Sequence, residues 1–109
     1  MSPTGSEEPR IAVRDDREGE RYVIEVDGEP AGFAQYRDRG RAIAFVHTEI
    51  DDRHEGQGLG GRLVSAALDD VRSRGLAVLP FCPFVRSYIQ RHPEYLDLVP
   101  STQRSQFGL

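Results

Sequence analysis

The chain of 109 residues contains no lysine and no tryptophan, a single cysteine, and no apolar run longer than Leu76-Ala77-Val78-Leu79-Pro80-Phe81-Cys82. Each absence excludes something. Without lysine there is no nucleotide-triphosphate P-loop, because that motif needs its lysine on the terminal phosphates. One cysteine closes no internal disulfide, which fits a reducing compartment. The apolar run falls far short of the roughly 20 residues of a membrane helix. The N-terminus shows no basic-then-apolar signal. A cytoplasmic protein without membrane contact is therefore expected. Basic clusters are missing too: the 14 arginines are dispersed among 18 acidic residues for a net charge of -4. Phosphate-backbone affinity needs clustered positive charge, so no nucleic-acid partner is expected.

What remains suits one compact domain, with 38% hydrophobic residues and room for one core. Residues 1–9, rich in Ser, Pro, Thr, Gly and Glu, carry too little apolar surface to offset ordering entropy and read as a flexible leader. The domain is expected over residues 10–99, with a loose tail over 100–109. Tyr22, Ile24 and Val26 alternate with polar neighbours as in a half-buried strand, and Asp27-Gly28-Glu29-Pro30 supplies the turn into a strand over Ala31–Arg37. Ala42–Ile50 reads as a long central strand with Ile43 and Phe45 on one side and Ala44, Val46 and Ile50 on the other.

Leu59, Leu63, Val64, Ala67, Leu68 and Val71 recur at helical spacing, and Gly75 suits the C-terminal cap. Leu76–Cys82 follows this helix as a short buried strand parallel to Ala42–Ile50, giving a right-handed β-α-β unit. Pro83 opens a second helix to about Gln90, and Pro93 ends it. The predicted order is four strands, helix, strand, helix.

The stretch Arg53-His54-Glu55-Gly56-Gln57-Gly58-Leu59-Gly60-Gly61 lies between strand and helix, where amides unobstructed by side chains can converge on an anion at the positive helix terminus. Alternatively, its glycines only form a tight turn and admit close packing. Gly56, Gly58 and Gly61 satisfy the dinucleotide pattern G-x-G-x-x-G, but Asp51 to Glu55 intervene after the strand, and no carboxylate ends the next one. What is left is Arg53-x-x-Gly56-x-Gly58. This resembles the acetyl-coenzyme A signature of the GCN5-related N-acetyltransferase (GNAT) superfamily, following a central strand that ends in Ile50. Cys82-Pro83-Phe84-Val85-Arg86-Ser87-Tyr88-Ile89-Gln90-Arg91-His92-Pro93-Glu94-Tyr95 is similar to the short single-domain branch often labelled Yjdj-type.

The resemblance implies an α/β fold with a mixed sheet: antiparallel strands, then a β-α-β unit with two splayed parallel strands, then a C-terminal helix. It implies acetyl-coenzyme A as cofactor, its pantetheine against the edge of Thr48, Glu49 and Ile50 and its pyrophosphate on amides from Glu55 through Gly56, Gln57, Gly58, Leu59 and Gly60 to Gly61. Arg53 and Arg62 are candidate phosphate partners. Tyr88 falls where many members carry the tyrosine that protonates the departing thiolate, and Cys82 is expected at the thioester. The implied activity is acetyl transfer to an unidentified amine, small or on a protein, by direct attack; the alternative is an acyl-coenzyme A-binding module with little turnover. The glutamate that serves several members as base is replaced near Ala44, leaving Glu49, His47 and His92 as candidates. The helices that usually follow the first strand are missing, so the acceptor site is shallow or shared, and the chain is expected as monomer or homodimer.

Overall fold

The structure, a computed structural model, describes residues 9–109; the expected leader lies outside them except for Pro9. Five strands form one sheet in the order β1 (Ile11–Asp16), β2 (Arg21–Val26), β3 (Glu29–Asp38), β4 (Ala42–Ile50) and β5 (Ala77–Pro80). The first four are antiparallel neighbours and β5 lies parallel to β4. Two helices complete the frame, α1 (Leu59–Ser73) crossing from β4 to β5 and α2 (Pro83–Arg91) following β5. This is the mixed α/β architecture that the sequence pattern predicts. No helix among the described residues is long and apolar enough to cross a membrane.

The helical stripe read from the sequence is the one α1 buries: Leu59, Leu63, Val64, Ala67, Leu68 and Val71. A Schellman cap ends it, with Gly75 at φ +70°, its amide donating to Arg72 O and the Leu76 amide to Val71 O. These side chains meet Tyr22, Ile24, Ala34, Tyr36, Ile43, Phe45 and Val78 from the sheet and Val85 and Ile89 from α2 in one core. Both helices therefore cover the same face. The opposite face carries Arg14, Arg21, Val23, Phe33, Gln35, His47 and Glu49 with no helix over it among the described residues, because a turn joins β1 directly to β2.

Two expectations change. Gln35 pairs with His47 and Tyr36 with Phe45, so Val46 is the extra residue of a β-bulge. The alternation shifts by one there, and Ile50 packs against the core instead of sharing a side with Ala44. Residues 100–109, expected as a loose tail, form two short 3-10 turns, and Phe107 is 4% exposed against Phe81, with ring centroids 5.1 Å apart. Leu109 also packs against the core and Arg104 Nε donates to Val99 O at 2.9 Å, so a few anchors hold a polar segment that lacks any periodic pattern.

At the end of the sheet farther from the glycine stretch, a polar network locks α1 down. The Tyr22 hydroxyl donates to Asp70 at 2.6 Å and the Tyr36 hydroxyl to Asp15 at 2.6 Å, while Arg74 lies 3.5 Å from Asp15 and 3.9 Å from Asp70. Burial, then the hydrogen bonds to these carboxylates, raise both phenols well above the ordinary 10.0. A raised folded-state value means stability that is complete below pH 10 and declines above it, since the unfolded chain then loses phenolic protons that the fold retains. Each phenol contributes a slope of about 1.4 kcal/mol per pH unit. Denaturant midpoints measured from pH 8 to 11 should fall above pH 10, and the fall should be much shallower in Tyr22→Phe/Tyr36→Phe.

Candidate functional site

The pairing of β4 with β5 stops early, where the backbone of β5 turns. Ala42 to Phe45 pair with Ala77 to Pro80, and Ala77 donates to Arg41 O, so by the two-residue alternation the next amide due to reach Phe45 O is that of Phe81. The Phe81 amide turns back to Leu79 O, the Cys82 amide makes a last bond to Phe45 O at 2.8 Å, and Pro83 starts α2. Beyond Phe45, β4 runs on to Ile50 paired with β3 alone. The bulge at Val46 adds local twist where the two strands part. Thr48, Glu49 and Ile50, the expected edge, thus lie on the stretch of β4 that β5 leaves unpaired.

Cys82 caps α2 on the far side of this gap. It is 2% exposed, and its Sγ lies 3.3 Å from Thr48 Oγ1, its one side-chain hydrogen bond among the described residues. The structure thus joins two of the expected residues. Residues that the sequence pattern does not single out also collect here: Val46, Phe81 and Phe84 are the large hydrophobic side chains left exposed among the described residues. All three sit where β4 and β5 separate. No polar pattern marks them in the sequence; only exposed apolar surface in one place does.

The glycine stretch borders the same gap. Asp51 caps a 3-10 turn, Asp52–His54, by accepting from the Arg53 amide. Gly56 at φ +82° and Gly58 at φ +74° then make left-handed steps that side-chain-bearing residues rarely take. The result is a run of amides, Gly56 to Gly61, for which no protein acceptor exists among the described residues, ending in the free first turn of α1. Added Cβ atoms at Gly56 or Gly58 would meet nothing within 4 Å, so the loop is not packed against the rest of the protein on that side. An anion fits such a cradle on both hydrogen-bonding and dipole grounds.

Gly60 answers to the other explanation, close packing. A Cβ there would stand 2.6 Å from Phe84 Cζ, whereas one at Gly61 would make an ordinary 3.6 Å contact with Tyr88 Cε2. Tyr88 therefore lies on the α1–α2 seam, stacked on His92 at 4.1 Å between centroids and 6.0 Å from Tyr95, and its hydroxyl makes no protein hydrogen bond among the described residues. It stands one helical turn beyond Phe84.

Other expected residues are placed less directly. Arg53 directs its guanidinium to Asp51 at 3.0 Å, and Asp51 in turn holds the Arg53 charge firmly on. That hydrogen-bonded guanidinium keeps the Asp51 carboxyl below the ordinary carboxylate range. Arg62 lines a groove with Ile11, Val13 and Asp69 on the flank of α1 facing β1. Leu59 buries its side chain in the core, so only its amide is available. Gln57 Oε1 accepts a bond from His54 Nδ1 at 3.4 Å, and Glu55 is exposed. Of the candidate bases, His47 meets Glu49 at 3.1 Å on the open face, while His92 is committed to Tyr88.

Comparison with known proteins agrees with this geometry. A family model described as GCN5-related N-acetyl-transferase matches residues 21–98. Protein NATD1 from Gallus gallus and from Mus musculus are each 29% identical over 91 residues, covering 80% of this chain and 83% of theirs. Among solved structures, ribosomal-protein-alanine N-acetyltransferase from Brucella melitensis biovar Abortus 2308 superposes with a TM-score of 0.51 at 20% identity, over 74% of this chain. The chain spans 61% of that longer protein, and the likeness is one of fold.

The contact at Gly60 is testable. Gly60→Ala should lower stability by about 1 kcal/mol through crowding of Phe84, and Phe84→Ala in the same chain should restore part of the loss. Thermal melts of the single and double variants measure this; equal losses in both would remove the contact as the cause.

Proposed function

The chain belongs to the GCN5-related N-acetyltransferase family, and from that membership we propose that it transfers the acetyl group of acetyl-coenzyme A to an amine. The observation that carries this reading is the run of amides without acceptors at the start of α1, set against the unpaired edge of β4. Amides from Gly56 to Gly61 would hold the pyrophosphate, the expected Glu55 amide being already bonded to Asp52 O at 3.2 Å, and the backbone of Thr48, Glu49 and Ile50 would hydrogen-bond the pantetheine arm as a neighbouring strand does. Val46, Phe81 and Phe84 offer apolar walls for the same arm. Bound acetyl-coenzyme A supplies an acyl group activated as a thioester.

Tyr88 is the candidate proton donor to the departing sulfur, its hydroxyl being uncommitted to a protein partner among the described residues. Cys82 is the candidate for contact with the thioester. With Thr48 as its hydrogen-bonding neighbour and neither His nor carboxylate beside it, the thiol lacks the base that an acyl-cysteine route requires, which favours direct attack by the amine. A second reading, acyl-coenzyme A binding with little turnover, draws support from the place of Tyr88 on the α1–α2 seam, over Gly61 and against His92.

Calorimetry with acetyl-coenzyme A tests the assignment: binding is expected, and Gly58→Ala should weaken it about tenfold because a left-handed alanine carries about 1–2 kcal/mol of strain. No heat at millimolar ligand would sink the cofactor assignment. Tyr88→Phe should lower thiol release on the order of 100-fold with binding unchanged; an unaltered rate would remove Tyr88 from the chemistry.

A further inference from the structure

Strand β1 ends the sheet, and only one of its edges is paired among the described residues. Arg10 O accepts from the Asp27 amide, so by the two-residue alternation Ala12, Arg14 and Asp16 turn their backbone groups toward β2. The amides and carbonyls of Ile11, Val13 and Asp15 therefore point away from the sheet. Such an edge is a template for another strand. Its core-facing side is apolar where it adjoins α1: Ile11 and Val13 are half-buried, and a hollow of about 360 Å³ runs between them and the α1 residues Arg62, Ser65, Ala66 and Asp69.

The charges along β1 indicate which strand fits. When a second copy of β1 lies antiparallel with Val13 opposite Val13, Ile11 of each copy meets Asp15 of the other, and these are the residues with free backbone groups. On the open face the same register brings Arg10 opposite Asp16 of the copy, and Arg10 has no side-chain partner among the described residues. A slip of two residues one way sets Arg10 against Arg14, and the other way Arg14 against Arg14. Like charges thus oppose both slips.

Helix α1 repeats the match. It runs in the same sense as β1, with Arg62 beside Ile11 and with Asp70 and Arg74 beside Asp15. A twofold axis through Val13, perpendicular to the sheet, sets the two α1 helices side by side and antiparallel. Ala66, which borders the same hollow as Val13, comes near the axis, and Arg62 of each copy is brought toward Asp69 of the other. Arg62 has no side-chain partner among the described residues, and Asp69 holds only the Tyr95 hydroxyl, at 2.8 Å.

We propose that the free edge of β1 and the adjoining flank of α1 form an interface for a second copy of this chain, giving a twofold dimer in which the two sheets join into one. Backbone bonds of Ile11, Val13 and Asp15 supply the attachment. The reciprocal pairs, Arg10 with Asp16 and Arg62 with Asp69, select the register and the partner. Small side chains at Ser65 and Ala66 let the helices approach over the joined strands. Because β1 lies at the end of the sheet opposite β5, the gap between β4 and β5 stays open in both copies. The interface is therefore independent of the acetyl-transfer reading.

Sedimentation equilibrium of the whole chain, from micromolar to millimolar concentration, tests this. A dimer is expected, and hydrogen exchange at the Val13 amide should slow as the dimer fraction rises. Val13→Pro removes the amide at the axis without touching the ladder to β2, so the fold should survive. Dimer affinity should fall roughly 30-fold, since both hydrogen bonds at the axis are lost. Arg62→Glu should weaken association roughly tenfold, less so at high salt, and Asp69→Arg in the same chain should restore it, because the twofold makes each pair reciprocal. Circular dichroism reports whether each variant folds, and the exposed Arg62 and Asp69 decide the matter if Val13→Pro does not. A chain that stays monomeric at millimolar concentration overturns the proposal. So does a dimer that the folded variants leave unweakened, or an Arg62→Glu loss that Asp69→Arg fails to restore. Protection of the Val13 amide that is independent of concentration assigns the edge to a segment of the same chain and overturns it as well.

Discussion

A strand pairs along its whole length only if both partners stay extended, and β5 does not. Its ladder with β4 ends where the Phe81 amide, due to reach Phe45 O, turns back to Leu79 O and leaves that carbonyl to the Cys82 amide, before Pro83 opens α2. The layout of the site depends on that termination. It leaves the second half of β4 with one pairing edge in use, and it places the start of α2 across a gap from Thr48. The parallel connection dictates that α1 must begin at the same end of the sheet, since a crossover helix leaves from the carboxyl end of its first strand. Free edge and free helix N-terminus are therefore adjacent by topology.

The glycine stretch shows how one short segment meets two demands. Gly56 and Gly58 are needed for backbone geometry, because both take positive φ values. Gly60 is needed for space, because the Phe84 ring from α2 fills the place where its side chain would be. Backbone geometry and close packing, which compete as explanations for a glycine-rich loop, are thus divided here between different residues. At the far end of α1 the Tyr22–Asp70 and Tyr36–Asp15 bonds fix the helix against the sheet, so that the position of its first turn is held from behind.

Much of this was legible in the sequence, for identifiable reasons. The limits of β4 match the expected Ala42–Ile50 because both ends are marked by turn or polar residues, and the α1 stripe is a simple 3.6-residue repeat. The bulge at Val46 was not legible: an extra residue in a strand of ordinary β-formers leaves no mark, and it reverses the side on which Ile50 lies. The burial of Phe107 was hidden for a related reason, since a lone aromatic in a polar tail has no periodicity to betray a partner. Within the site, motif spacing indicates which backbone groups come together more readily than where side chains point. Backbone position follows from element boundaries, whereas the direction of Arg53 and Arg62 depends on Asp51 and on the flank of α1 from which each emerges.

The omission of helices between β1 and β2 has a structural cost that the sheet itself meets. Val23 is 3% exposed on a face that no helix covers among the described residues, so neighbouring side chains must shield it. Arg14, its cross-strand partner, and Arg21, two residues before it on the same face, stand beside it while ion pairs hold their ends, Arg14 to Glu25 and Arg21 to Asp16. Such pairs contribute little stability individually. Their effect is positional: they hold the Arg21 guanidinium 5.7 Å over the Phe33 ring and keep both arginines beside a hollow at the carboxyl end of β4. The polarity of the open face thus comes from the same side chains that let a small sheet dispense with a second layer.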